Sequence, residues 1–148
     1  MLVREVMSSP AITVDPSASL HDVTEAMLES GTGSVVVTPD GDGDDALGQA
    51  ATGIVTESDV LRAAHRTGRP LVTISAETAA SSPLVTISPD RTVRLAVDEM
   101  VEEGIKRLVV VDGFDIVGIV TLTDVALEYS EIRSEAIDLA YQSSQWGQ

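Results

Sequence analysis

Apolar residues in this chain follow two different periods. Leu20, Val23, Ala26 and Met27 recur at every third or fourth position, as do Val93, Ala96, Val97 and Met100. Each set predicts an amphipathic helix. Gly31 and Gly104 stand where these helices should stop, since glycine adopts the left-handed conformation that ends a helix without steric cost. The β-branched runs Val35-Val36-Val37, Gly53-Ile54-Val55, Leu108-Val109-Val110-Val111 and Ile116-Val117-Gly118-Ile119-Val120 predict strands. A second helix should open at Glu57 and again at Leu122. With the short extended pieces that end at Asp15-Pro16 and Ser88-Pro89, each half reads β-α-β-β-α. From Val125 to about Tyr141 the pattern predicts one long helix, and the polar segment 142–148 should fray.

The two halves are copies. Gly53-Ile54-Val55-Thr56-Glu57-Ser58-Asp59-Val60 returns as Gly118-Ile119-Val120-Thr121-Leu122-Thr123-Asp124-Val125, identical except between Thr and Asp. Ile12-Thr13-Val14-Asp15-Pro16 matches Val85-Thr86-Ile87-Ser88-Pro89 at an offset of 73 residues, which Pro10/Pro83 and Gly31/Gly104 share, whereas the closing motifs are 65 apart. The first copy therefore carries an insertion in the Gly/Asp-rich stretch 39–49, read as a lengthened hairpin. Its counterpart is the turn Asp112-Gly113-Phe114-Asp115. One supersecondary unit used twice predicts an α/β (α+β) fold. Residues 1–66 form the first repeat, 67–82 a linker and the leader of the second, and 83–141 the second repeat.

Composition narrows the partners. The net charge is −15, with eight Arg and one Lys among 148 residues, which disfavours nucleic acid. Such a composition is similar to that of proteins from salt-loving microbes, where molar salt shortens the Debye length to about 3 Å and screens self-repulsion. There is no cysteine, and His21 and His65 are isolated, so no metal site is expected. The charged start and the lack of a long apolar run point to a cytoplasmic protein with no membrane partner. No catalytic constellation is visible. Ser81-Ser82 reads as linker, and Arg62 and Arg66, one turn apart, read as solvated charge.

The half-length repeat, its element order and the closing Gly-Ile-Val-Thr-x-x-Asp resemble a pair of CBS domains, or Bateman module, over roughly residues 3 to 140. Val3-Arg4-Glu5-Val6-Met7-Ser8 resembles the usual leader, and Lys106-Arg107-Leu108-Val109-Val110-Val111-Asp112 fits the second repeat. The resemblance implies two repeats packed through their sheets about a pseudo-two-fold axis. Two clefts between them would bind adenosyl ligands, and such modules commonly pair into four-repeat discs.

By themselves, Thr56/Asp59 and Thr121/Asp124 read as capping boxes. By resemblance, the two acids would also hold ribose hydroxyls, a role suited to a carboxylate, which accepts two hydrogen bonds from a vicinal diol. Lys106 and Arg107 read either as a solvated pair at a strand edge or as a phosphate clamp. Their counterparts Gly33 and Ser34 carry no charge, which makes the two clefts unequal. The backbone of Val14, Asp15, Ile87 and Ser88 would line the base and ribose pocket, with Ile54 and Ile119 beside an adenine ring.

The expected function is a stand-alone regulatory module that senses an adenine nucleotide such as AMP or ATP, or an S-adenosylmethionine-like ligand. No obligatory cofactor and no enzyme activity are expected. Its partners would be that ligand, a second copy of the chain and a regulated protein. Val60, Leu61 and Ala64, with Val125, Leu127 and Ile132, are candidates for the homodimer face. The alternative is a structural or dimerisation module whose clefts hold no ligand.

Overall fold

Val35 and Val37 point one way from their strand and Val36 the other, and this alternation divides the molecule into three apolar layers. A computed structural model describes residues 1–39, 53–81, 84–128 and 137–140. The insertion 39–49 lies almost wholly outside the described residues. So do Pro83, Ile132 and the tail 142–148, together with 129–136 of the expected long helix.

The first half contains β1 (Thr13–Val14), α2 (Leu20–Ser30), β2 (Ser34–Val37), β3 (Gly53–Thr56) and α3 (Glu57–Thr67), preceded by the short α1 (Val3–Val6). The second half repeats it as β4 (Thr86–Ile87), α5 (Val93–Glu103), β5 (Arg107–Asp112), β6 (Asp115–Thr121) and α6 (Leu122–Glu128), preceded by α4 (Ala76–Ala79). Each half has a three-stranded sheet, in order β1-β2-β3 or β4-β5-β6. In both, the first pair is parallel and the second antiparallel. The β-α-β-β-α order read from the sequence is therefore the order of the fold. The helix stops also hold: Gly31 and Gly104 cap α2 and α5 at φ 65° and 67°. The Asp112–Asp115 hairpin turns at Gly113, whose φ is 64°.

On the helix side of the first sheet, Val35, Val37 and Val55 pack with Leu20, Val23, Met27 and Val60. On the second, Leu108, Val110 and Val120 pack with Val93, Ala96, Met100 and Val125. Between the sheets lie Val36, Val109 and Ile119. Each fully buried side chain of this size contributes about 1.5–3 kcal/mol. Val60 and Val125 thus belong to the two cores. This corrects their placement on an outer apolar face, whereas Leu61 from the same stretch is 71% exposed.

The leader segments cross over. Val3 and Val6 pack in the core of the second half, and Ile74 and Ala76 in that of the first. Val3 N donates to Arg91 O at 2.9 Å, and Ala76 N donates to Ala18 O at 2.7 Å. Each leader then runs along the last strand of the half it joins. Ser81 exchanges two backbone hydrogen bonds with Ile54, and Ser8 exchanges two with Ile119. This contact explains the glycine that opens each closing motif. A Cβ on Gly53 would stand 2.7 Å from Ser81 O, and one on Gly118 would stand 2.6 Å from Ser8 O.

Candidate functional site

Each Thr-x-x-Asp sits where a strand hands over to a helix, and in both copies the capping chemistry is present. Thr56 N donates to Asp59 Oδ2 at 2.9 Å, and Asp59 N donates to Thr56 Oγ1 at 3.3 Å. Thr121 N donates to Asp124 Oδ2 at 3.1 Å, and Asp124 N donates to Thr121 Oγ1 at 3.0 Å.

Beyond the cap, the two acids differ. Asp59 is only 5% exposed. Its Oδ2 also accepts from Thr56 Oγ1 at 3.0 Å, while Oδ1 accepts from Arg62 Nη1 and from Ser81 Oγ, each at 3.0 Å. Asp124 is partly exposed. Leu127 occupies the place in the second copy that Arg62 has in the first, and it offers no donor. Two sequence readings are corrected here. Arg62 is not simply solvated charge, because it is ion-paired to a buried carboxylate. Ser81 is not featureless linker, because it is bridged to β3 and donates to Asp59. The signal for Ser81 lay in the sequence: Ser8-Ser9-Pro10 and Ser81-Ser82-Pro83 are the same tripeptide at the repeat offset of 73.

A cleft of about 580 Å³ opens between the repeats beside Asp59. Ile54, Thr56 and Asp59 line it from the first half, and Val109, Lys106 and Arg107 from the second. The basic pair therefore shares a cleft with the Thr-x-x-Asp of the opposite repeat. Arg107 is half-buried, and its Nη1 donates to Gly33 O at 3.3 Å, tying the halves together. Lys106 is exposed. The side chain of Glu57 occupies the space where Gly33 lacks a Cβ, with Arg107 close by.

The second cleft, about 340 Å³, is built from the counterpart residues Ser8, Pro10, Ile12, Gly31, Thr32 and Ile119. Among the described residues its lining carries no charged side chain.

The remaining candidates line neither cleft. Val14 packs against the first core, and Ile87 is buried in the second. Asp15 Oδ1 accepts from Ser17 N and Oγ, and Ser88 Oγ accepts from Asp90 N, so both close turns before helices. Ser34 is buried, and Gly33 faces the groove between α2 and α3. Thr121 and Asp124 lie at the start of α6 and line neither cleft, although Thr121 pairs with Arg107 across β5 and β6. Groups of three or more His, Cys, Asp or Glu able to hold a metal are absent among the described residues. No described helix is long and apolar enough to cross a membrane.

Two copies of one β-α-β-β-α unit, packed sheet to sheet with crossed leaders and a cleft on each side, define a paired-repeat module. The chain belongs to the CBS domain family, whose pattern matches residues 3–66 and 76–131. It is 33% identical over 124 residues to an uncharacterized protein of Methanopyrus kandleri, covering 83% of this chain and 60% of the relative. The chain thus spans about three fifths of that relative's length. A CBS domain protein from Pyrobaculum aerophilum, solved in complex with AMP, superposes with a TM-score of 0.74 at 22% identity, over 93% of this chain and 99% of that one. A CBS domain pair solved with 5′-methylthioadenosine and S-adenosyl-L-methionine superposes with a TM-score of 0.72 at 20% identity, over 88% and 97%.

Proposed function

We propose that the chain is a regulatory module, not an enzyme, and that it takes an adenine nucleotide or another adenosyl ligand in the larger cleft. One observation carries this reading. A buried carboxylate from one repeat and a Lys-Arg pair from the other line the same cavity, with apolar Ile54, Leu84 and Val109 on its walls. A ligand with an apolar flat ring, a vicinal diol and an anionic group matches that sequence of surfaces. In this reading Asp59 accepts from the ribose diol, Lys106 and Arg107 face phosphate, and the ring lies against Ile54 and Val109. The AMP and adenosyl complexes of structurally similar proteins support it.

Because both halves contribute to the cleft, a bound ligand favours the arrangement in which they are closed on it. A regulated partner that prefers that arrangement would read the ligand as a population shift. A second copy of the chain is the expected assembly partner. Leu28 is 83% exposed and Leu61 71%, and Val101, the counterpart of Leu28, is 75% exposed, so each repeat presents apolar side chains on its helix face. Sedimentation at micromolar concentration tests this, and a monomer would exclude the dimer.

Thermal shift with AMP, ADP, ATP and S-adenosylmethionine tests the ligand. At about 100 times its dissociation constant a true ligand stabilises by about 2.7 kcal/mol. K106A should weaken nucleotides by roughly tenfold while sparing adenosine. Lys106 is the cleaner target, because Arg107 also holds Gly33. If none of these compounds shifts the melting curve, the chain is a dimerisation module instead.

A further inference from the structure

Asp59 has no acceptor position to spare. A carboxylate offers about four lone-pair sites, and here four protein donors occupy them: Thr56 N and Oγ1 on Oδ2, Arg62 Nη1 and Ser81 Oγ on Oδ1. A ribose diol can reach this acid only by displacing two of them. Thr56 N belongs to the capping turn of α3 and leaves only if the helix start unwinds, and Thr56 Oγ1 is held beside Oδ2 by the bond it accepts from Asp59 N. Oδ1 is the side that can open, since Ser81 is exposed and the Arg62 side chain is 51% exposed.

Displaced from Asp59, Arg62 remains beside the cleft as a guanidinium without its acid. It has room to move. Asp59, Arg62 and Ser81 line both the inter-repeat cleft and a neighbouring cavity of about 410 Å³ between α3 and α4, where Arg66 also stands. The charges around the cleft are the cations Arg62, Lys106 and Arg107 and the acids Asp59 and Glu103. A diol is neutral and leaves Asp59 charged, so three cations still face two acids across the lining, and an anionic group on the ligand completes the balance. A neutral nucleoside would break the Arg62–Asp59 pair and offer Arg62 no anion in its place.

We propose, building on the ligand reading above, that Arg62 is a specificity determinant of this cleft. It gives up Asp59 to the ribose diol and transfers to the ligand's phosphate, so the site selects phosphorylated adenosyl ligands over nucleosides. The device belongs to one half. At the matching position the second repeat has Leu127, and among the described residues Asp124 bonds Thr121 and no arginine.

The test is calorimetric titration of adenosine and AMP into the full chain at one fixed ionic strength, for wild type, R62A and R62L. R62L places at 62 the residue type that the second repeat carries at Leu127, and it keeps the test open if R62A folds poorly. Wild type should prefer AMP. In both variants AMP should weaken by about tenfold, the loss of one charge-assisted contact, while adenosine binds more tightly because Oδ1 is easier to open. R62K should fall between. If AMP binds wild type but the ratio of AMP to adenosine affinity is unchanged in R62A and R62L, the role of Arg62 is wrong and the ligand reading stands. If neither compound binds any of the proteins, both fall together.

Discussion

Thr56-x-x-Asp59 and Thr121-x-x-Asp124 are the same motif on the same kind of strand-to-helix junction, yet among the described residues only the first is built into a charged network. Both acids cap their helices through backbone bonds of similar length. Asp59 in addition holds a guanidinium and a serine hydroxyl and lines a cleft with Lys106 and Arg107. The difference comes from residues outside the motif. One helical turn on, Arg62 stands opposite Leu127. The basic pair at 106 and 107 corresponds to Gly33 and Ser34, and the described lining of the counterpart cleft carries no charge. Both copies keep the junction, and different residues around it give the two acids different surroundings.

The largest effect should come from removing the acids in turn. Asp59→Ala leaves Arg62, Ser81 and Thr56 without their shared acceptor at a buried position, and should cost about 2–3 kcal/mol. Asp124→Ala loses a cap, worth about 1 kcal/mol. Urea unfolding of both variants measures the gap. Equal costs would mean that the network around Asp59 adds nothing to folding and that the contrast between the copies is one of geometry alone.

A second pair should behave alike, which sets the baseline for the first. Gly53→Ala and Gly118→Ala each drive a Cβ into the carbonyl of the crossing leader, at 2.7 Å from Ser81 O and 2.6 Å from Ser8 O. Overpacking of this kind costs about 1–3 kcal/mol, and the two values should agree within about 0.5 kcal/mol. Disagreement, read from the same unfolding curves, would show that the crossed leaders carry unequal loads.

The fold was legible because burial imposes its period on the residues. Strands buried on both faces read as unbroken Val and Ile runs, helices as every third or fourth position, and glycine marks each stop. The duplication made each element checkable against its copy. The site was legible only in part. Thr56 and Asp59 could be named from the motif, and Ile54, Lys106 and Arg107 from the family resemblance, and the structure brings all five to one cleft. Which cleft the basic pair joins depends on how the repeats face each other, and no local pattern records that. The partners of Asp59 were missed for different reasons. Arg62 sits at a helical spacing that allows a bond without requiring one. Ser81 reaches Asp59 only because the leader of the second repeat packs on the first, a long-range exchange invisible to periodicity. Val60 and Val125 were misplaced because a helix has apolar residues on adjoining faces, and only packing decides which face is covered.

The smallest effect isolates that exchange. Ser81 and Ser8 make the same pair of backbone bonds to Ile54 and Ile119, and these survive replacement by alanine. Ser81 also donates its hydroxyl to Asp59, 3.0 Å away. Ser81→Ala should therefore cost about 1 kcal/mol, or about 3 °C in melting temperature for a chain of this size. Ser8→Ala should stay within about 0.5 kcal/mol of wild type. If Ser81→Ala also proves neutral, water replaces the hydroxyl on Oδ1, and the difference between the copies reduces to the charge of Arg62. The same variant should bind adenosine more tightly, since one of the two donors that a diol must displace has been removed. A gain for adenosine with no loss of stability would show that the serine guards access to Asp59 without holding the fold.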